Sequence, residues 1–174
     1  MANLIAYYSR KGENYWAGGI KDLEKGNTER VAEFVAEAVG GDLFEIDTVK
    51  TYDADYYKCI DEAKAELREN ARPELKRTLE DAGLNIDDYD TIFLGYPNWW
   101  GTCPMCVFTF LESYDLAGKR IIPFCTNEGS GMGGSEKQLK KACPKSQVEK
   151  GLSITGNQAA QSKDKAQAWA RKFV

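Results

Sequence analysis

Histidine is absent from all 174 residues. Its absence removes the usual zinc sites, Ser-His-Asp triads and Cys-His pairs at once. Hydrolytic chemistry becomes a poor expectation and a bound cofactor a better one. No apolar run approaches the ~20 residues that a membrane span needs, and no charged-then-apolar leader precedes the first periodic segment. A cytoplasmic protein that does not enter the membrane is expected. The five cysteines (Cys59, Cys103, Cys106, Cys125 and Cys143) are odd in number, in a chain too long to need disulfide staples. They are expected to be reduced thiols. A general basic surplus is also missing. Residues 1–118 hold 12 Lys+Arg against 23 Asp+Glu, and residues 119–174 hold 11 against 4. This split does not resemble a nucleic-acid binder. From Thr78 to Gly118 there is no Lys or Arg at all, while seven acids occur there.

What is present describes a folded domain. With 43% hydrophobic and 29% charged residues the chain is globular rather than disordered. At this length residues 1–174 form a single domain able to bury about 70% of its unfolded surface. Apolar runs at 3–9 (NLIAYYS), 43–46, 90–96 (DTIFLGY), 120–126 (RIIPFCT) and, more weakly, 148–154 read as strands. Helices are predicted over 27–39, 56–71, 73–82, 105–114, 136–143 and 163–173. The first would be capped by Asn27 or Thr28 and stopped by Gly40-Gly41. The alternation of strand and helix implies an α/β fold, with a parallel sheet, right-handed crossovers and helices on both faces. Ligands bind such sheets beyond the carboxyl ends of the strands.

Three loops in those positions are chemically unusual. The first runs from Tyr8-Ser9-Arg10-Lys11 to Gly26-Asn27-Thr28, at the start of a helix whose free N–H groups suit a phosphate. The second, Pro97-Asn98-Trp99-Trp100-Gly101, follows a buried strand. Its two adjacent indoles cannot both enter one core, so at least one faces outward or into a cleft, where it could stack on a planar heterocycle. The third is Thr126-Asn127-Glu128-Gly129-Ser130-Gly131, continuing to Gly134. Residues 129–134 spell G-x-G-x-x-G, but a dinucleotide fingerprint opens the first βα unit, and here only one strand and helix remain. A glycine-rich rim offering backbone groups to a flat ring suits the position better.

Together these segments resemble the flavodoxins, in particular a bacterial flavodoxin-like branch with a Pro-x-Trp-Trp-Gly second loop. The resemblance implies a three-layer αβα sandwich around a five-stranded parallel sheet in the order 2-1-3-4-5. It also implies an FMN whose phosphate sits on Ser9, Asn27 and Thr28. The isoalloxazine would lie between Pro97–Gly101 and Thr126–Gly131, with a tryptophan against it. The stretch from Lys11 to Lys25 interrupts the family's compact phosphate loop. The phosphate cation is therefore open among Arg10, Lys11 and Lys25, and Tyr15 and Trp16 are either a lid, a partner-binding knob or a locally packed surface hairpin.

Cys103-Pro104-Met105-Cys106 is a C-x-x-C that could be a redox dithiol, although two small residues filling space are the plainer reading. Asp87-Asp88-Tyr89-Asp90 reads as a solvated turn. The acids between Thr78 and Gly118, with Glu128, disfavour further negative charge on a flavin held nearby. The expectation is a low-potential one-electron carrier, monomeric, with redox partner proteins steered by charge. The alternatives are an FMN-dependent NAD(P)H:quinone or azo reductase, and a flavin-free scaffold or signalling domain on the same fold.

Overall fold

Alternation along each strand assigns side chains to the two faces of the sheet. In the computed structural model, which describes residues 2–174, β1 (Ala2–Tyr7) sends Leu4 and Ala6 to one face and Ile5 and Tyr7 to the other. Both sets are buried, which is why the run is continuously apolar rather than alternating. An antiparallel hairpin follows, β2 (Gly12–Trp16) and β3 (Gly19–Leu23), then α1 (Asn27–Val39), β4 (Asp42–Glu45) and α2 (Tyr56–Glu69). The chain continues through β5 (Tyr89–Pro97), α3 (Met105–Glu112), β6 (Arg120–Asn127), α4 (Ser135–Ala142), the short β7 (Gln147–Val148) and β8 (Leu152–Thr155), and α5 (Lys163–Arg171).

The main sheet is parallel, in the order β4-β1-β5-β6, with β7 and β8 both pairing the outer side of β6. The expected order 2-1-3-4-5 is therefore present, but the sheet has six strands and not five. The fifth position is split, and Pro123 explains the split. Ile121 turns its carbonyl toward the outer strand, where it accepts from the Glu149 N–H at 2.9 Å. Two residues on, Pro123 faces the same way and has no N–H to give, so the ladder stops and resumes only at Phe124.

Helices α1 and α5 cover one face, over Ile5, Phe93, Ile122 and Phe124. The other face carries Leu4, Phe44, Ile92, Leu94, Tyr96, Val107, Phe110 and Leu139. Three expectations are corrected. Residues 73–82 are not a helix: Leu75 bridges Thr48, with Val49 N–H on the Glu74 carbonyl and Lys76 N–H on that of Asp47, and only Glu80–Ala82 makes a 3₁₀ turn. Leu75, Leu79 and Ala82 do stand at helical spacing, but pairing of this segment with residues 47–49 overrides that local preference. The cap of α1 is neither Asn27 nor Thr28. Gly26 holds the cap position, and Ser9 Oγ, from the other end of the loop, accepts from Glu29 N–H at 3.1 Å. Finally, α3 ends at Glu112 rather than Tyr114, where Ser113 Oγ takes the Thr109 carbonyl at 2.6 Å. No helix among the described residues is long and apolar enough to cross a membrane.

Gly95 lies where β5 passes α1 and β6. A Cβ there would run into the Phe124 ring and stand 3.1 Å from Thr28 Cγ2. Gly95→Ala is expected to cost about 1–3 kcal/mol by overpacking. A thermal melt followed by circular dichroism should show the midpoint falling by several degrees.

Candidate functional site

The carboxyl ends of β1, β5 and β6 open on one cleft of about 220 Å³. It is lined by Arg10, Asn27 and Thr28 from the first loop, Pro97, Asn98 and Trp99 from the second, and Thr126, Asn127 and Glu128 from the third. The three loops picked out in the sequence thus meet, and side-chain hydrogen bonds hold them together. Thr28 Oγ1 and Thr126 Oγ1 are 2.8 Å apart and buried, which ties the start of α1 to the end of β6. Asn98 Nδ2 donates to the Gly131 carbonyl at 2.9 Å, and its Oδ1 accepts from Gly101 N–H at 2.8 Å. Asn127 Oδ1 accepts from the N–H groups of both Gly129 and Gly131 at 3.0 Å, so Gly129 and Gly131 shape the loop without lining the cleft.

Three groups in or beside the cleft are left available for a ligand. Among the described residues nothing accepts from the N–H groups of Asn27 and Thr28, at the positive end of α1. Glu128 Oε1 is buried with no hydrogen-bond partner, while Oε2 accepts from Asn157 Nδ2 at 3.2 Å. Trp99 offers a ring clamped edge-on by Tyr8 and Tyr52, with centroids at 5.1 and 5.3 Å. Such a site can accept an anion at one end, a ring at the other, and a hydrogen-bond donor at Glu128. Ser9 sits behind it, and Gly26 lets the two ends of the first loop close up: a Cβ at Gly26 would lie 2.6 Å from the Arg10 carbonyl.

The two tryptophans divide. The turn Trp99–Thr102 closes with Trp99 N–H on the Thr102 carbonyl at 2.9 Å, and Trp100 and Gly101 both take positive φ, 56° and 84°. This is the backbone of a tight two-residue hairpin turn, and it strains a bulky residue such as Trp100 by about 1–2 kcal/mol. The strain is offset outside the cleft, where Trp100 Nε1 donates to the Ile60 carbonyl at 2.9 Å and Lys64 Nζ lies 5.1 Å over the ring. Trp100 is therefore placed on α2 and exposed, and Trp99 alone enters the cleft.

The question of the cation narrows to Arg10. Lys25 is paired with Glu33 at 2.7 Å, and Lys11 lines a neighbouring cavity instead. Arg10 borders the cleft, with Nε on the Glu13 carbonyl at 2.9 Å and a terminal nitrogen on those of Asp53 and Ala54 at 3.0 and 3.2 Å. All three partners are neutral, so its charge is not neutralised. The neighbouring cavity is larger, about 560 Å³, but it reaches neither the Trp99 loop nor the Thr126 loop. On its walls five acids (Glu13, Asp22, Glu29, Glu45 and Asp47) outnumber four bases (Arg10, Lys11, Lys50 and Lys76), and burial followed by the charges of Asp47 and Glu29 pushes the Glu45 carboxyl up. A phosphate is better received in the cleft.

Ser130, within the third loop, and Tyr15, one of the candidate lid residues, also line the cleft, as do Asn14, Tyr56 and Gly156, which sequence reasoning did not assign to it. Gly156 follows the outermost strand and Tyr56 opens the helix after β4. The rule that ligands gather past strand ends extends to both positions.

All five thiols are buried. Desolvation pushes Cys59 and Cys143 up to about 11 and Cys125 up to about 12, and it pushes Cys103 and Cys106 up strongly. The C-x-x-C cysteines are thus protonated space-fillers, with Tyr96 and Cys125 beside Cys103. A group with a folded pKa above its unfolded value stabilises fully below the unfolded value and loses that contribution as pH rises. Unfolded thiols ionise near ~8.5 and phenols near ~10. Urea titrations are therefore expected to show constant stability from neutrality to about pH 8 and a decline above about pH 9.

A family model described as flavodoxin matches residues 23–173. A candidate flavoprotein from Bacteroides uniformis is 32% identical over 98% of this chain and 97% of its own, with a TM-score of 0.75. A flavoprotein from Lactobacillus acidophilus, solved in complex with FMN, is 23% identical over 92% and 97%, with a TM-score of 0.65. An NADH:FMN oxidoreductase in its apo form shares the fold at 14% identity, over 100% of this chain and 90% of its own, with a TM-score of 0.55. No curated protein matches the chain.

Proposed function

The chain belongs to the flavodoxin family, and from that premise we propose that it binds one FMN non-covalently in the cleft and passes single electrons to a partner protein. The observation that carries this reading is the convergence of unpaired N–H groups, a clamped indole and an orphaned carboxylate oxygen on one opening. Each has a counterpart on FMN. The phosphate takes the N–H groups of Asn27 and Thr28, with Arg10 as counter-charge, where a charge-assisted hydrogen bond contributes about 1.5–3 kcal/mol. The ring packs on Trp99, and a ribityl hydroxyl or ring N–H donates to Glu128 Oε1. When bound, FMN supplies the redox-active ring; the protein positions it and sets its electrostatic surroundings.

Carrier is preferred to reductase because of the space available. About 220 Å³ lies below the ~300 Å³ at the lower end of small-molecule sites. An FMN there leaves part of itself at the surface, within reach of a docked protein, and the neighbouring cavity, which meets the cleft at Arg10, does not reach Trp99 or the Thr126 loop where the ring would lie. Glu128 faces the cleft with its carboxylate only partly compensated, which disfavours added electrons and supports a low potential. The acids between Thr78 and Gly118 precede or open β5, or end or follow α3, at the end of the sheet away from the cleft, so of the acids expected near the ring only Glu128 lines it.

Adding the protein to FMN is expected to quench the flavin's fluorescence with one-to-one stoichiometry. NADH oxidation with a quinone should stay at the rate of free FMN; turnover well above it would establish the reductase instead. Arg10→Gln is expected to weaken FMN about 10- to 100-fold while leaving riboflavin, which lacks the phosphate, nearly unchanged. In a redox titration Glu128→Gln should raise the midpoint by about 50–100 mV, the equivalent of ~1–2 kcal/mol for one electron.

A further inference from the structure

The hairpin β2–β3 lies ahead of the segment matched by the family model, which begins at Leu23, the last residue of β3. It does not stand off into solvent. Asn14 Nδ2 donates to the Arg10 carbonyl at 2.9 Å, and Glu13 Oε1 accepts the N–H of Tyr56 at 2.8 Å, at the first residue of α2. These bonds bring Tyr15 against Tyr56, ring centroids 6.1 Å apart and planes 39° from parallel, and both rings line the cleft. Trp16, the next residue, turns the other way and takes Lys21 Nζ over its ring at 4.2 Å.

The aromatic lining of the cleft is therefore Trp99, Tyr15 and Tyr56, and the loop Thr126–Gly134 contributes no aromatic ring. Trp99 is fixed by Tyr8 and Tyr52, whereas Tyr15 is 40% exposed and Tyr56 is its one aromatic neighbour among the described residues. An aromatic side chain left so open at the mouth of a ligand cleft has apolar surface still to bury.

We propose that Tyr15 is a ring-binding residue of this cleft: the inserted hairpin supplies, through Tyr15 braced on Tyr56, the second aromatic surface for the flavin ring. The proposal rests on the cleft being the FMN site. It assigns the hairpin to the ring and not to the phosphate, so its loss has a signature different from that of Arg10.

The test titrates FMN and riboflavin into the wild type and into Tyr15→Ala, Tyr15→Phe and Trp16→Ala, following flavin fluorescence. Stacking on one aromatic side chain is worth ~1–3 kcal/mol, a factor of roughly 5 to 150. Tyr15→Ala is expected to weaken both flavins by a similar factor, about ten-fold or more, and to leave the bound flavin more fluorescent. Tyr15→Phe should retain wild-type affinity, and Trp16→Ala should change neither reading. Wild-type affinity and quenching in Tyr15→Ala would overturn the proposal while leaving the FMN reading intact. So would a loss confined to FMN, because it would place Tyr15 at the phosphate. A wild type that binds neither flavin would overturn the cofactor reading and this proposal with it.

Discussion

The buried hydroxyl pair Thr28–Thr126 is the contact on which the site depends. Thr28 lies in the first turn of α1 and Thr126 is the next-to-last residue of β6, 98 residues later, and both side chains are closed off from solvent. Either hydroxyl without the other would be an unsatisfied buried polar group, costing about 1–3 kcal/mol. The pair is thus strongly held in register, and it fixes the distance between the N–H groups of α1 and the loop that follows β6. Asn98 and Asn127 extend the same logic outward. Each amide side chain satisfies backbone groups of the glycine-rich segments, so loops with little apolar content still keep one shape.

The sheet and its order were legible because β1, β5 and β6 are short, unbroken apolar runs, which only a sheet covered on both faces can bury. The three loops were legible because glycine, asparagine and paired tryptophans at strand ends are difficult to explain as packing. What escaped had specific causes. Pro123 interrupts the outer ladder, although the strand that contains it is intact and the effect falls on its neighbour. Pro73–Ala82 has helix-forming composition, but tertiary pairing of Leu75 with Thr48 overrides propensity. Tyr56 opens α2 beside the hairpin and Gly156 follows β8, and no local sequence pattern marks either as lining the cleft.

The charge split along the sequence also takes a different form in space. Each helical layer combines an element from the acidic part with one from the basic part: α1 with α5 on one face, and α2 and α3 with α4 on the other. The basic segment after residue 119 builds the β6–β7–β8 side of the sheet, so the field runs from edge to edge rather than from face to face.

The walls of the cleft differ in stiffness, and the difference follows from what holds each one. Trp99 is clamped by two buried tyrosines, and Tyr52 is itself anchored by its hydroxyl on Glu66 Oε1 at 2.6 Å, in a setting where burial and that bond keep the phenol protonated. The turn beyond Trp99 takes on backbone strain at Trp100 and recovers it on α2. Tyr52 cannot move without leaving its buried hydroxyl and the Glu66 carboxylate unpaired. The hairpin side is held by Arg10, Asn14 and Glu13 through bonds near the surface, which cost little to rearrange because water can replace them. A rigid cradle set against one adjustable wall keeps a ligand's position defined by the rigid side. Adaptation to ligand size then falls to the segment that carries Tyr15.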